Sequence, residues 1–576
     1  MLSEAKHLQS FRRCPNAEND QRFFASLRMT LRGRRIATGF LLATLPNIIA
    51  FALAKTESPP TRLMSGLGEV YHPVTTNNRE AQAFFDQGLN LVYGFNHDEA
   101  RKAFQRAAEI DPKLAMAWWG VALTLGPNYN LPVDPEREKA GYDAVQKAVA
   151  LKENASELER AYIDALAVRY SNDPKADLHA LDVAYRDAMA KLAAHYPDDL
   201  DAATLYAESM MDLNPWKLWS HDGKPAAGTE EIVSTLESVL KRDPNHLGAN
   251  HYYIHAIEAS AHPERALPSA ERLEKLAPAA GHLMHMPAHI YARVGDHDAS
   301  AHCNELAAAA DEKYIAETHV KGVYPLMYYS HNLHFLAYAD CMRGNFAEAK
   351  SAADKLVANV TPGIKEMPML EGFLPTPMIV LFAFERWNDL AKLPAPDPAL
   401  KITNAVWHSF RGIALASLGK TADAEKDQKA FRDVAAQIPP DTMYDELNTT
   451  GQVFKIHEHL LAAAIAVCRH DAKAAIDSLK EAVAAQDALN YSEPPAWYPP
   501  VRPTLGRALL EANQVAEAEK VFRADLERNP RNARALTGLR DCLKAQNQNY
   551  EAEQVDRQFH QVWKAAAAEK PATAKQ

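Results

Sequence analysis

Histidines four residues apart, recurring at a fixed interval, are the residues of this chain best suited to chemistry. His251 and His255 stand four apart in NHYYIHAIEAS, and a shift of 34 carries them onto His285 and His289 in GHLMHMPAHI. A third stretch, SHNLHFLAYADCMRGNF, aligns with the second through Gly295 and Gly344, 49 apart, which carries His282 onto His331 and His285 onto His334. Residues four apart on a helix share a face, and packed helices lie roughly 8–10 Å from one another. Imidazole pairs from successive helices can then converge on one point. Imidazole with carboxylate suits zinc, copper, iron or nickel, with metal–nitrogen bonds of roughly 2.0–2.1 Å. Glu258, three beyond His255, adds the carboxylate. The candidate metal ligands are therefore His251, His255, Glu258, His282, His285, His289, His331 and His334. Seven imidazoles exceed one mononuclear site, which predicts two ions or a smaller ligand set backed by its neighbours.

The same register extends to a groove. Tyr338 and Cys341 follow His334 at i+4 and i+7, with Cys341 in the place corresponding to Glu258. Counting backwards puts Glu208 at the place of His255 and Trp119 at the place of His251. Other histidines have plainer readings. His97 and His297 fall at matching turns, where capping suffices, and His408, His457, His459, His470 and His560 have no register partner. HYYIH lacks the glutamate of the HExxH zinc-protease motif. Met284 and Met286 flank His285 but point off its stripe, so thioether ligation has little support. Cys341 beside His334 reads as a buried small hydrophobe rather than a nucleophile. No Gly-rich phosphate loop and no GxSxG is present, so no nucleotide cofactor is expected.

The elements that must position these residues are helical. The 576 residues are 47% hydrophobic and 24% charged, with a mean hydropathy of −0.33 and recurrent Ala- and Leu-rich segments. That length demands several domains or one repeat array. In AFFDQGLNLVYGFNHDEARKAFQRAAEIDP, small and aromatic residues recur at Phe84, Gly88, Ala100, Phe104, Ala107 and Pro112. Gly506, Ala518, Phe522 and Pro530 repeat the pattern near the C-terminus. This spacing resembles the tetratricopeptide repeat (TPR) superfamily, and the resemblance covers most of residues 80–565. It implies an all-α superhelical solenoid of helix-turn-helix units, with insertions, whose first helices line a concave face. The expected organisation is a linker over 55–79, an N-terminal array with the His-rich groove over 80–360, a Pro-rich connector over 361–400, and a C-terminal array over 401–565. Pro287 should kink its helix. The loops GPNYNLP and DLNPW, with Asn128, Asn130, Asn214 and Trp216, stand where they would close the groove, or serve as plain helix-ending turns. SEPPAWYPPVRP reads as a rigid, extended connector, and the tail 566–576 as disordered.

Residues 29–54 combine a basic start, an apolar run and a small-x-small end at Ala52-Leu53-Ala54, a secretory signal pattern. Met29 is a candidate start, and retention of the run as a membrane anchor is the rival reading. Residues 1–54 carry a net +5, which leaves −16 on the remainder of a chain whose total is −11. Such an acidic protein is a poor partner for nucleic acid. Three functions fit: an exported, periplasmic or secreted scaffold with a transition-metal site (Zn, Cu or Fe) and a protein or peptide partner in the envelope; a metal-dependent hydrolase or oxidoreductase using the same cluster; and a metal-free protein–protein interaction module. The peptide-gripping Lys, Asn and Arg of many TPR grooves are replaced here by histidine.

Overall fold

The structure, a computed structural model, describes residues 61–563. The signal pattern at 29–54 and the tail at 566–576 lie outside the described residues. Residues 61–364 and 369–563 form one compact unit.

Twenty-five α-helices and no β-strand are found among the described residues. In order they are α1 (Arg79–Tyr93), α2 (His97–Ile110), α3 (Ala115–Leu125), α4 (Pro135–Ala150), α5 (Glu157–Ala167), α6 (Leu178–His195), α7 (Leu200–Met211), α8 (Thr229–Arg242), α9 (Leu247–Ile257), α10 (Leu267–Leu276), α11 (Gly281–His285), α12 (Pro287–Arg293) and α13 (His297–Thr318). They continue with α14 (Tyr329–Arg343), α15 (Phe346–Val360), α16 (Thr376–Ala383), α17 (Trp387–Leu390), α18 (Lys401–Ser417), α19 (Thr421–Ala435), α20 (Thr450–Cys468), α21 (Ala472–Asp487), α22 (Arg502–Glu511), α23 (Val515–Arg528), α24 (Ala533–Ala545) and α25 (Asn549–Val562). The stretch 361–400 thus carries two helices. Helices pack on their sequence neighbours, and α1 on α3, α3 on α5, α18 on α20 and α22 on α24 pack one place further along. That is the packing of successive helical hairpins.

The reason lies in the signature residues. Phe104 is fully buried, and a Cβ on Gly88 or Gly120 would stand 2.6 or 2.4 Å from its ring. The two glycines let helices on either side close over one aromatic. Phe522 sits the same way between Gly506 and Gly538, whose Cβ atoms would approach it to 2.5 and 2.0 Å. The helix starts are fixed locally by Asn78, Asn96, Asp134 and Asp199, each accepting from first-turn backbone N–H groups.

Residues 62–74 form an extended strap along α1. Side chains on α1 bind its backbone: Gln87 Oε1 accepts from Met64 N–H (2.7 Å), Asp86 Oδ1 from His72 N–H (3.1 Å) and Gln82 Oε1 from Val74 N–H (3.0 Å). Gln87 and Gln82 also donate to the carbonyls of Arg62 and His72. Among the described residues no helix is long and apolar enough to cross a membrane, and Cys303, Cys341, Cys468 and Cys542 are free thiols.

Candidate metal centre

Helix α9 starts at His246, whose Nδ1 accepts from Ala249 N–H (3.2 Å), and this sets the phase in which His251 and His255 face inward together. Their rings lie 4.9 Å apart. Helix α9 also packs on α1. The contact is close because residue 248 is glycine: a Cβ there would stand 2.3 Å from the Tyr93 ring. The Tyr93 carbonyl thereby reaches His251 and accepts its Nδ1–H (2.6 Å).

Pro287 does break its helix, between α11 and α12, but Met286 keeps right-handed helical dihedrals (φ −52°, ψ −38°). His289 N–H bonds Met286 O (3.2 Å), a tightened turn. His285 and His289 consequently meet Nε2 to Nε2 at 2.6 Å. After a wide π-type turn at Tyr324–Tyr328, α14 adds His331, with its ring 4.6 Å from that of His285.

The structure therefore brings together six of the seven predicted histidines and Glu258. Donor atoms of His251, His255 and His282 lie within 4.8 Å of one another, as do those of His285, His289 and His331, and those of His255, Glu258 and His289. His334 belongs to none of these sets; its ring faces Phe373 (5.5 Å) and Tyr498 (6.1 Å), and burial pushes it down to about 4. Tyr338 packs on Phe335 and Tyr498. Cys341 is buried, its thiol pushed up to about 12 by burial, which leaves it an inert thiol. Trp119 packs between Phe85 and Tyr162. Glu208 is buried with Asp212 and Arg169, and burial and the Asp212 charge raise its carboxyl.

Four of the six imidazoles are oriented from behind. Asn304 Nδ2 donates to Ser300 O (2.8 Å), so its Oδ1 faces His285 and accepts the Nδ1–H (2.6 Å). Glu258 accepts from His255 Nδ1–H on Oε1 (3.0 Å) and from His289 Nδ1–H on Oε2 (2.7 Å). With Nδ1 protonated on His251, His255, His285 and His289, Nε2 of each carries a lone pair. Burial holds His251, His255, His282, His285 and His331 well below the ordinary imidazole range, and the neighbouring imidazoles push in the same direction. Nε2 of His251, Nε2 of His255 and both nitrogens of His282 are buried without a partner. Each such atom costs about 1–3 kcal/mol if left unmet.

Aromatic rings seal the chamber. Phe95 packs on His251 (4.6 Å), His255 (5.8 Å) and His282 (5.6 Å), Tyr328 on His282 (5.0 Å), and Phe335 on His285 (5.2 Å) and His289 (5.1 Å). The two loops do reach the site, through Tyr129 (5.0 Å) and Trp216 (5.7 Å) on His255. Asn128 instead lies 3.4 Å from His97 Nδ1. Phe95 and Trp216 hold left-handed backbone (φ 54° and 62°), a strain of about 1–3 kcal/mol each for a bulky residue. His97 and His297 open α2 and α13, next to the capping residues Asn96 and Asp296.

One acid escaped the sequence reading. Glu493, in the SEPP of the connector before α22, enters the chamber with its side chain 3% exposed and contacts His289 Nδ1. Its carboxyl also meets that of Glu258 in a side-chain hydrogen bond. Burial and the adjacent Glu493 raise the Glu258 carboxyl to about 8, and burial raises Glu493 well above its ordinary value. The only sequence signal was a carboxylate set among prolines and aromatics.

No family model matches this chain, and no curated protein matches it. Among solved structures it is similar to the Cut9–Hcn1 hetero-tetramer of the APC/C, at 13% identity and a TM-score of 0.31, over 81% of this chain and 79% of that one. It is similar to the human IFIT1 dimer with PPP-AAAA, at 12% identity and a TM-score of 0.30, over 85% and 92%. Yeast Tom70 gives 12% identity and a TM-score of 0.30, over 81% and 96%. By the packing of its own hairpins and the aromatic locks at Phe104 and Phe522, the chain is an all-α array of helical hairpins.

Proposed function

We propose that this protein is a metal-holding repeat protein whose histidine chamber binds transition-metal ions at two imidazole trios, His251/His255/His282 and His285/His289/His331. One observation carries the reading. Four imidazoles have Nδ1–H committed to acceptors behind them, and the lone pairs left on Nε2 are buried, with two of them 2.6 Å apart. That contact needs a positive centre between the two nitrogens, either the one proton of a hydrogen bond or a metal ion in its place. A backing acceptor on the far nitrogen is also what fixes tautomer and direction in metal-bound histidine. Zinc, copper and iron all suit such donors.

Elemental analysis of the purified protein tests this, beside the double variant His251→Ala/His285→Ala. The expected result is one or two equivalents of a single metal, lost in the variant. Absence of stoichiometric metal after reconstitution would overturn the reading. The signal pattern at 29–54 supports export, checked by whether the secreted or periplasmic form begins at Lys55.

A further inference from the structure

The histidines of the chamber come from α9, α11, α12 and α14, yet its second acid comes from a distant connector. That position is built. Asn448 Oδ1 accepts from Asn490 N–H (2.8 Å), and Ser492 Oγ accepts from Ala496 N–H (3.1 Å) and Asn448 Nδ2–H (3.4 Å). Trp497 packs on His457 (4.8 Å), and Tyr498 packs on Tyr338 (5.1 Å) and His334 (6.1 Å). Both flanks of Glu493 are thus pinned, and its carboxylate is directed at His289.

The polar inventory around it does not balance. Glu258 already accepts from His255 and His289, so the single Nδ1–H of His289 faces two carboxylates. The cation that acts on Glu493, Arg293, does so without direct contact: it donates to Ser260 O (2.9 Å) and lies over the Tyr491 ring (5.2 Å). Two adjacent buried carboxyls can both ionise only beside added positive charge. A divalent ion on neutral imidazoles calls for two negative ones. The two trios differ in this respect by one acid: Glu258 backs His255 in the first and His289 in the second, whereas Glu493 backs His289 alone.

We propose that Glu493 is a positioning and charge-compensating residue that, with Glu258, makes the His285/His289/His331 trio selective for divalent over monovalent metal. This rests on the chamber being a metal site. Through Glu493, occupancy of that trio also depends on the connector between α21 and α22.

The test is competition titration of the full protein with Co²⁺ and, anaerobically, with Cu⁺ against chromophoric chelators, using wild type, Glu493→Gln and Asn448→Ala. Glu493→Gln keeps shape and removes charge. The expected result is a 10–100-fold loss of Co²⁺ affinity, the range for residues backing metal ligands, with altered visible bands of the bound Co²⁺ and unchanged Cu⁺ affinity. Asn448→Ala, which frees the connector, should lower Co²⁺ affinity in the same direction. Equal loss of both metals in Glu493→Gln would indicate a structural role alone and overturn the proposal, as would no change in either. Failure of wild type to bind either ion would overturn the metal reading itself, a result distinct from both.

Discussion

The C-terminal hairpins and the histidine chamber handle buried polar groups in opposite ways. In the hairpins α18–α20 and α23–α24 the buried charges Asp427 and Asp525 are matched by donors. Asp427 accepts from His408 Nδ1–H and Arg411 Nε–H (2.8 Å each), and Asp525 accepts from Asn529 (3.1 Å) and Asn532 (2.7 Å). His457, fully enclosed, meets the Ser409 hydroxyl through Nδ1 (3.0 Å). In the chamber, acceptors outnumber donors: four buried imidazole nitrogens have no partner, and Glu258 and Glu493 share the one Nδ1–H of His289. The first region is arranged to be stable without help. The second leaves several kcal/mol of unmet polar groups at about 1–3 kcal/mol each, a deficit that a bound cation would remove.

The largest effects should be common to both regions. Phe104→Ala and Phe522→Ala each empty a glycine-flanked lock and should cost about 3–5 kcal/mol, read as similar falls in thermal midpoint. A much smaller loss at one end would show that the two locks are not equivalent.

The next test separates the regions by sign. His282→Phe replaces two unpartnered nitrogens between Phe95 and Tyr328, so it should stabilise the metal-free protein by about 1–3 kcal/mol. It should also weaken metal binding and so reduce the rise in midpoint that added Zn²⁺ gives. Calorimetry with chelator and with excess Zn²⁺ measures both. A fall in the chelated midpoint would break the comparison.

His457→Phe is the counterpart among matched groups. It removes the contact with Ser409 and should lower stability by about 1 kcal/mol without changing metal content, measured by denaturant titration and elemental analysis.

The smallest effect is a pH slope. Burial raises the Asp525 carboxyl to about 6, against the hydrogen bonds from Asn532 and Asn529. The folded state therefore holds this proton more tightly than the unfolded chain does. Its contribution is fully present below the ordinary carboxyl range and is lost as pH rises through about 6. Asp525→Asn should flatten that part of the stability–pH curve, and an unchanged slope between pH 4 and 7 would count against a protonated Asp525.

Much of the fold was legible because its causes are local. Gly88, Phe104, Gly506 and Phe522 act through contacts within a hairpin or between adjacent hairpins, and their spacing is visible along the chain. The pairs His251/His255 and His285/His289 were legible for the same reason, since i,i+4 spacing fixes a shared face. His334 shows the limit. Its ring turns to Phe373 and Tyr498, where α14 enters through a π-type turn and the connector packs beside it. Trp119 and Glu208 also lie in the stack, among Phe85, Tyr162, Arg169 and Asp212.

The sequence by itself determined helical hairpins, their small-against-aromatic locks and the presence of paired imidazoles, because each depends on a short stretch of chain and helical periodicity. Only the tertiary structure decided which imidazoles meet, which nitrogen of each keeps its lone pair, and that Glu493 faces His289. Those outcomes depend on how α9 approaches α1, how Met286 carries the chain past Pro287, and where a distant connector is pinned. Long-range packing sets all three, and no local spacing encodes it.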